Sequence, residues 1–177
     1  MRAMRIEGAF GLDNLKETVL DQPEPGPGQV LVKLKAACLN YRDLAIVLGF
    51  GGNYPLPLTP LSDGAGEVVA VGKNVSRVAV GDRVAPQFFP SWIAGEPTLE
   101  GISKSLGGSV DGCAADYICL SEEAVSKLPD CLSDEEAACL PCAGLTAWRA
   151  LVCEGQVKAG DTVLLQGTGG VSIFALQ

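Results

Sequence analysis

The feature that most constrains this chain is its last eighteen residues, Gly160–Gln177. Asp161-Thr162-Val163-Leu164-Leu165-Gln166 is a short apolar run with β-branched members, the pattern of a buried parallel strand. It leads directly into Gly167-Thr168-Gly169-Gly170-Val171-Ser172 and then into Ile173-Phe174-Ala175-Leu176, the opening of a helix. Strand, glycine turn and helix start in that order form the setting in which a glycine motif holds a dinucleotide. Glycines permit a tight turn and let backbone N–H groups approach a pyrophosphate, which the dipole of the helix N-terminus favours. Two features depart from the full pattern. Ser172 stands at the third glycine position, and the acidic residue that holds the ribose, about 20 residues further on, would fall past Gln177. The same residues also suit a glycine turn serving some other strand–helix connection. Since one strand makes no sheet, the run predicts either a partial chain or an unusual packing of the tail, and the pattern favours the first.

Composition narrows the functional classes. Hydrophobic residues make up 47% and charged residues 19%, which is the make-up of a core-forming globular protein. No apolar run approaches the roughly 18 residues of a membrane span, and no N-terminal stretch has the parts of a signal peptide. A cytoplasmic protein without a membrane partner is expected. The net charge of −8 argues against nucleic-acid binding but leaves a dinucleotide open, because backbone dipoles can hold its phosphates. Histidine is absent, which removes Ser–His and Cys–His nucleophile pairs and the commonest metal ligand. Acid–base work within these residues therefore falls to Asp, Glu, Tyr, Lys, Cys, water or a cofactor. Seven cysteines without a secretory signal are expected as reduced thiols. Cys139 and Cys142 have C-x-x-C spacing, but they follow an acidic helix start and have no second pair. A structural role is expected of them over a redox or zinc role.

In chain order, Met1–Gly8 and Leu15–Leu20 suit two paired strands, and Pro23–Gly28 is a rigid loop. Val30, Val32, Leu34 and Ala36 alternate with Leu31, Lys33 and Lys35, predicting a half-solvated strand. A short helix is predicted over 41–48, a strand over 67–72 after Gly64-Ala65-Gly66, a further strand starting at Val84, and another over 114–120. Pro86–Gly112 is predicted as a long surface loop, a length often functional in compact domains. Many short strands with Gly/Pro turns up to Lys127 suggest a β-barrel or sandwich. From Ser133 the pattern changes: Ser133 and Glu136 have capping-box spacing with acids in the first turn. Pro141 is expected to interrupt that helix, with a second helix resuming over 145–153.

Four stretches, in order along the chain, resemble the medium-chain dehydrogenase/reductase superfamily, the alcohol dehydrogenase and quinone oxidoreductase group. They are Leu39-Asn40-Tyr41-Arg42-Asp43, Asp63-Gly64-Ala65-Gly66 with Val71-Gly72, Gly81-Asp82-Arg83-Val84, and Ala143-Gly144-Leu145-Thr146-Ala147-Trp148 leading to the glycine turn. The resemblance implies a mixed α and β fold: a GroES-like β-barrel catalytic domain over 1–128, then the incomplete start of a Rossmann dinucleotide-binding domain over 129–177. It also implies that about half of the usual chain is missing. Where zinc-dependent members carry their first cysteine ligand this chain has Asn40, and where they have Gly-His-Glu it has Leu61-Ser62-Asp63. Cys142 alone matches a ligand position, and the four-cysteine lobe of a structural zinc is absent. A zinc-independent member is expected, with no metal site.

By this resemblance the chain belongs to an NAD(P)(H)-dependent oxidoreductase that moves hydride between nicotinamide and an aldehyde, ketone, quinone or enone. Without zinc, positioned donors must polarise the acceptor oxygen. Asn40 and Tyr41, at the family's catalytic corner, are the candidates, although an Asn at a strand-to-helix junction also serves simply as a cap. Arg42 occupies the place of a proton-relaying hydroxyl, so that relay is not expected. Tyr54 and Trp92 could line a substrate cleft or simply pack. Thr146 matches the threonine that meets nicotinamide, and Gly167, Thr168, Gly169, Gly170 and Val171 match the pyrophosphate turn. A homodimer is implied for the full-length protein. A non-catalytic nucleotide-binding or interaction protein that has kept the fold is the alternative.

Overall fold

The computed structural model describes residues 1–177. Strands β1 (Arg2–Ile6) and β2 (Leu15–Val19) form an antiparallel hairpin, as the two apolar stretches predict. The main body is a five-stranded antiparallel sheet in the order β6-β3-β4-β5-β7. Its members are β3 (Gln29–Cys38), β4 (Asp63–Val71), β5 (Arg83–Pro86), β6 (Tyr117–Ser121) and β7 (Val125–Lys127). Isolated bridges from Ala3 to Ala115 and from Ile6 to Leu58 tie the hairpin to the segments that lead into β6 and β4. The result is the curled sheet of the mixed α and β class expected.

β3 shows why the sheet forms here. Val30 and Val32 are buried while Lys33 and Lys35 reach solvent, so one face joins the core and the other stays wet. Leu31, expected outward, is buried too, and a register shift between Leu31 and Val32 against β4 accompanies it. The core gathers Val30, Val32, Val68, Val84, Leu106, Ile118 and Val125. Leu106 lies within the segment expected to be surface loop: the stretch after β5 sends Leu106 inward and forms the short helix α2 (Leu99–Ile102).

Helix α1 (Tyr41–Val47) follows β3 directly and buries Ile46 and Val47 against Ile6 and Leu58. Tyr54 packs against the same cluster. Helix α3 (Asp134–Ala138) starts as predicted: Ser133 Oγ accepts the Glu136 N–H at 3.2 Å, and Glu136 accepts the Ser133 N–H at 2.8 Å. Ala137 and Ala138 dock it on β4 at Ala65, close to Cys38 of β3.

One expectation is met and one requires correction. The α-helix that starts after Ser133 ends at Ala138 with Cys139 in a turn, two positions ahead of Pro141. The chain then resumes as a π turn over Leu140–Gly144, α4 (Leu145–Trp148) and a second π turn over Arg149–Glu154. A proline lacks the N–H that an α ladder needs, and the wider turn accommodates it. The predicted strand over 161–166, by contrast, is not formed, and Leu164 is 85% exposed. Its pattern marks a surface that seeks a ladder, but a strand exists only where a neighbour supplies hydrogen bonds, and no strand lies beside it. The final helix, α5, begins at Gly170 rather than Ile173 and runs to Leu176. No helix is long and apolar enough to cross a membrane.

Candidate functional site

β3 ends at Cys38 and α1 begins at Tyr41, so Asn40 caps the helix in extended geometry at the junction. Its backbone N–H donates to Asp43 Oδ2 at 2.8 Å, the capping contact the sequence allowed. The carboxamide does something else. Its Nδ2 is buried and has no hydrogen-bond partner, although it stands near the Asp63 carboxylate, whose ionised form it favours. Tyr41 lies beside it, 87% exposed, with its hydroxyl free to reach a ligand.

Behind this corner is a polar network that the sequence reading passed over except as departures from a zinc motif. Asp43, Ser62 and Asp63 are all buried. Ser62 Oγ donates to Asp63 Oδ1 at 2.6 Å, and the Cys142 N–H donates to Asp63 Oδ2 at 3.0 Å. That last bond starts one residue after Pro141. In the π turn around the proline, the Cys142 N–H is directed to the carboxylate, tying the helix to β4. Burial raises the Asp43 and Asp63 carboxyls above the ordinary carboxylate value, and the hydrogen bonds each accepts oppose that rise. Burial, with the Cys139 thiol beside it, pushes Cys38 up to about 12. Burial and the Asp63 charge push Cys142 up to about 11.

The approach to Ser62 is held by an unusual backbone. Leu61 has φ +74°, the left-handed region that disfavours a branched residue. Gly107 and Gly112 make room for it: a Cβ on Gly107 would sit 2.5 Å from Leu61 N, and one on Gly112 would overlap the Leu61 carbonyl oxygen. The sequence signal for this clamp was the departure at Leu61 itself.

Asn40 and Tyr41 line a cavity of about 860 Å3 whose other wall is the glycine turn and α5, through Gly169, Gly170 and Val171. Cys38, Cys139, Glu136 and Phe174 complete much of its lining. The two sets of predicted residues, far apart in sequence, therefore face one space. Gly167 takes φ +82°, and a Cβ at 167 or 169 would meet no atom within 4 Å, so the turn is open on the side a pyrophosphate would approach. These residues fit a dinucleotide. Ser172, at the third glycine position, donates to the Gln166 carbonyl at 2.9 Å and closes the turn. Gly167, Thr168 and Thr146 do not line the cavity, and Thr146 is exposed on α4. Tyr54 belongs to the core under α1 instead, while Trp92 lines a second cavity of about 370 Å3.

The positions that resemble zinc ligands do not fit zinc. Asn40 offers an amide and Ser62 is buried and committed to Asp63, which leaves Cys142 as the one thiol among the three. A tetrahedral zinc site draws on several cysteine, histidine or carboxylate ligands.

A curled antiparallel sheet that carries a capped helix corner to the rim of a glycine turn is the architecture of the medium-chain dehydrogenase/reductase superfamily. The alcohol dehydrogenase GroES-like domain family matches residues 26–130, and the chain belongs to it. It is 49% identical over 174 residues to a zinc-type alcohol dehydrogenase-like protein of Schizosaccharomyces pombe, covering 94% of this chain and 49% of that protein. It is 35% identical over 180 residues to the quinone oxidoreductase of Homo sapiens, covering 100% of this chain and 49% of that one. The crystal structure of an NAD-dependent alcohol dehydrogenase superposes with a TM-score of 0.88 at 36% identity, covering 99% of this chain and 54% of that one. The chain spans about half the length of the curated relatives it matches.

Proposed function

We propose that these residues carry the acceptor side and the first phosphate-binding turn of a zinc-independent, NAD(P)(H)-dependent oxidoreductase acting on an aldehyde, ketone, quinone or enone. One observation carries the reading: a single cavity joins Asn40 and Tyr41 to Gly169–Val171, while two of the three positions resembling zinc ligands hold an amide and a committed hydroxyl. Relatives named alcohol dehydrogenase and quinone oxidoreductase support the reaction class. In this reading residues 1–128 form the catalytic domain and 129–177 begin the nucleotide-binding domain. The protein works in the cytoplasm as a homodimer.

Gly167, Thr168, Gly169, Gly170 and Val171 hold the pyrophosphate by backbone N–H groups, and Thr146 meets the nicotinamide. The bound nicotinamide supplies or takes the hydride. Asn40 Nδ2 and the Tyr41 hydroxyl donate to the acceptor oxygen as charge develops on it. Asp43 and Asp63 hold the corner from behind.

The test uses the complete natural protein, assayed for NAD(P)H oxidation with a panel of aldehydes, quinones and enones, with and without a chelator. Asn40→Ala is expected to lower kcat by about 10²-fold, the scale of one lost oxyanion donor, and the chelator is expected to change nothing. Loss of activity on chelation would overturn the zinc-independent part. Cofactor binding without turnover of any acceptor would favour the non-catalytic alternative.

A further inference from the structure

Arg42 belongs to the catalytic corner by sequence, yet it does not line the cleft there. Its guanidinium turns the other way. Nη1 donates to the Leu106 carbonyl at 2.9 Å and to Asp43 Oδ1 at 3.2 Å, and Nη2 reaches Ser105 Oγ at 3.4 Å. The guanidinium carbon lies 4.5 Å from the centroid of the Phe88 ring. Phe88 and Leu106 are the two sides of a neck, because the Leu106 N–H donates to the Phe88 carbonyl at 3.0 Å. One side chain from α1 therefore grips both sides of the neck that closes the excursion 89–105.

That excursion carries an aromatic wall. Phe88 and Phe89 meet edge to face at 4.6 Å, and Phe89 lies 6.2 Å from Trp92. With Leu140, Pro141 and Leu145 these rings line the second cavity, of about 370 Å3. A planar guanidinium can lie against a ring face while its in-plane N–H groups donate sideways, so the stacking and the hydrogen bonds do not compete. A lysine ammonium has no such plane. Space around the fork is also closed: a Cβ on Gly108 would stand 2.9 Å from Nη2.

We propose that Arg42 is a positioning residue that locks the neck of the 89–105 loop to α1. It thereby holds the Phe88–Phe89–Trp92 wall in place, and because Leu140 lines both that wall's cavity and the cleft of Asn40 and Tyr41, it selects acceptors by the bulk of their apolar part. The selection rests on the oxidoreductase reading above, whereas the lock does not.

The experiment compares the complete natural protein with Arg42→Lys, Arg42→Ala and Phe88→Leu, the last removing the stacking partner together with one ring of the wall, so that it is read by exchange alone. Hydrogen exchange in residues 89–105 is expected to quicken about tenfold in both Arg42 variants, with β3 and β4 unchanged. Across acceptors of rising bulk, KM for the largest is expected to rise about tenfold, with kcat and the KM of the smallest acceptor within about threefold. Phe88→Leu is expected to fall between wild type and Arg42→Lys in exchange. An Arg42→Lys protein that matches wild type in exchange and in KM overturns the proposal, because charge alone then suffices. So does an equal loss for every acceptor with the loop still protected, the mark of a general folding defect. If wild type turns over no acceptor, the oxidoreductase reading has failed, and loop exchange in Arg42→Lys and Phe88→Leu still decides the lock.

Discussion

The curled sheet and the segment after Trp148 are built from comparably apolar residues and end in opposite surroundings. Val30 and Val32 have strands on both sides and are fully buried, whereas Val163 and Leu164 have none and face solvent. Leu145, Trp148 and Val152, at helical spacing, are also largely exposed. The contrast teaches that an apolar pattern specifies a face and its period, while burial depends on what the rest of the molecule brings to that face. The cleft lies between the two regions, with one wall from the buried part and one from the exposed part.

The largest test of that contrast uses two glycines that share a left-handed backbone. Gly107 (φ +64°) is packed against the Leu61 backbone, while Gly160 (φ +97°) has nothing within 4 Å of an added Cβ. Gly107→Ala is expected to cost at least about 3 kcal/mol, combining backbone strain with a clash that has no flexible partner, and Gly160→Ala the backbone strain alone, about 1–2 kcal/mol. Urea denaturation of both measures the difference, and equal costs would mean that the Leu61 clamp is not tight. A middle-sized test truncates one apolar residue in each region. Val32→Ala is expected to cost about 2 kcal/mol and Leu164→Ala less than about 0.5 kcal/mol. A comparable loss at Leu164 would show that the tail is covered in solution.

The smallest effect is in the pH dependence. Burial raises the folded carboxyl of Asp63, so the folded state holds that proton more tightly than the unfolded chain does. Its contribution is therefore greatest below the ordinary carboxylate value and is lost as pH rises through the raised value. Asp63→Asn is expected to remove this loss, so that the stability difference between variant and wild type grows in the variant's favour from pH 3.5 to 7. A difference that stays flat across that range would mean that Asp63 titrates normally.

Much of this molecule was legible before its structure. The alternation at Val30–Ala36, the capping box at Ser133–Glu136 and the strand pair at the start are local patterns, and local patterns survive because each depends on residues a few positions apart. Asn40 was legible as a cap for the same reason. What was not legible needed distant partners. The break ahead of Pro141 was legible because its effect on an α ladder is local, but the bond from the Cys142 N–H to Asp63, far back in the chain, was not. Arg42 looked like a missing relay because its partners, Leu106, Ser105 and Phe88, lie more than forty positions away.

The sequence by itself determined the family, the main strands of the sheet, the helix starts at Tyr41 and Asp134, the glycine turn and the residues placed at the corner. These follow from propensity, period and motif, which are properties of short segments. Only the tertiary structure decided that Asn40 faces Gly169 across one cavity, that Asp43 and Asp63 are buried with raised carboxyls, and that Leu164 is exposed. Burial, desolvation and shared cavities depend on which distant segments meet, and the free energy that brings them together belongs to the whole packed chain.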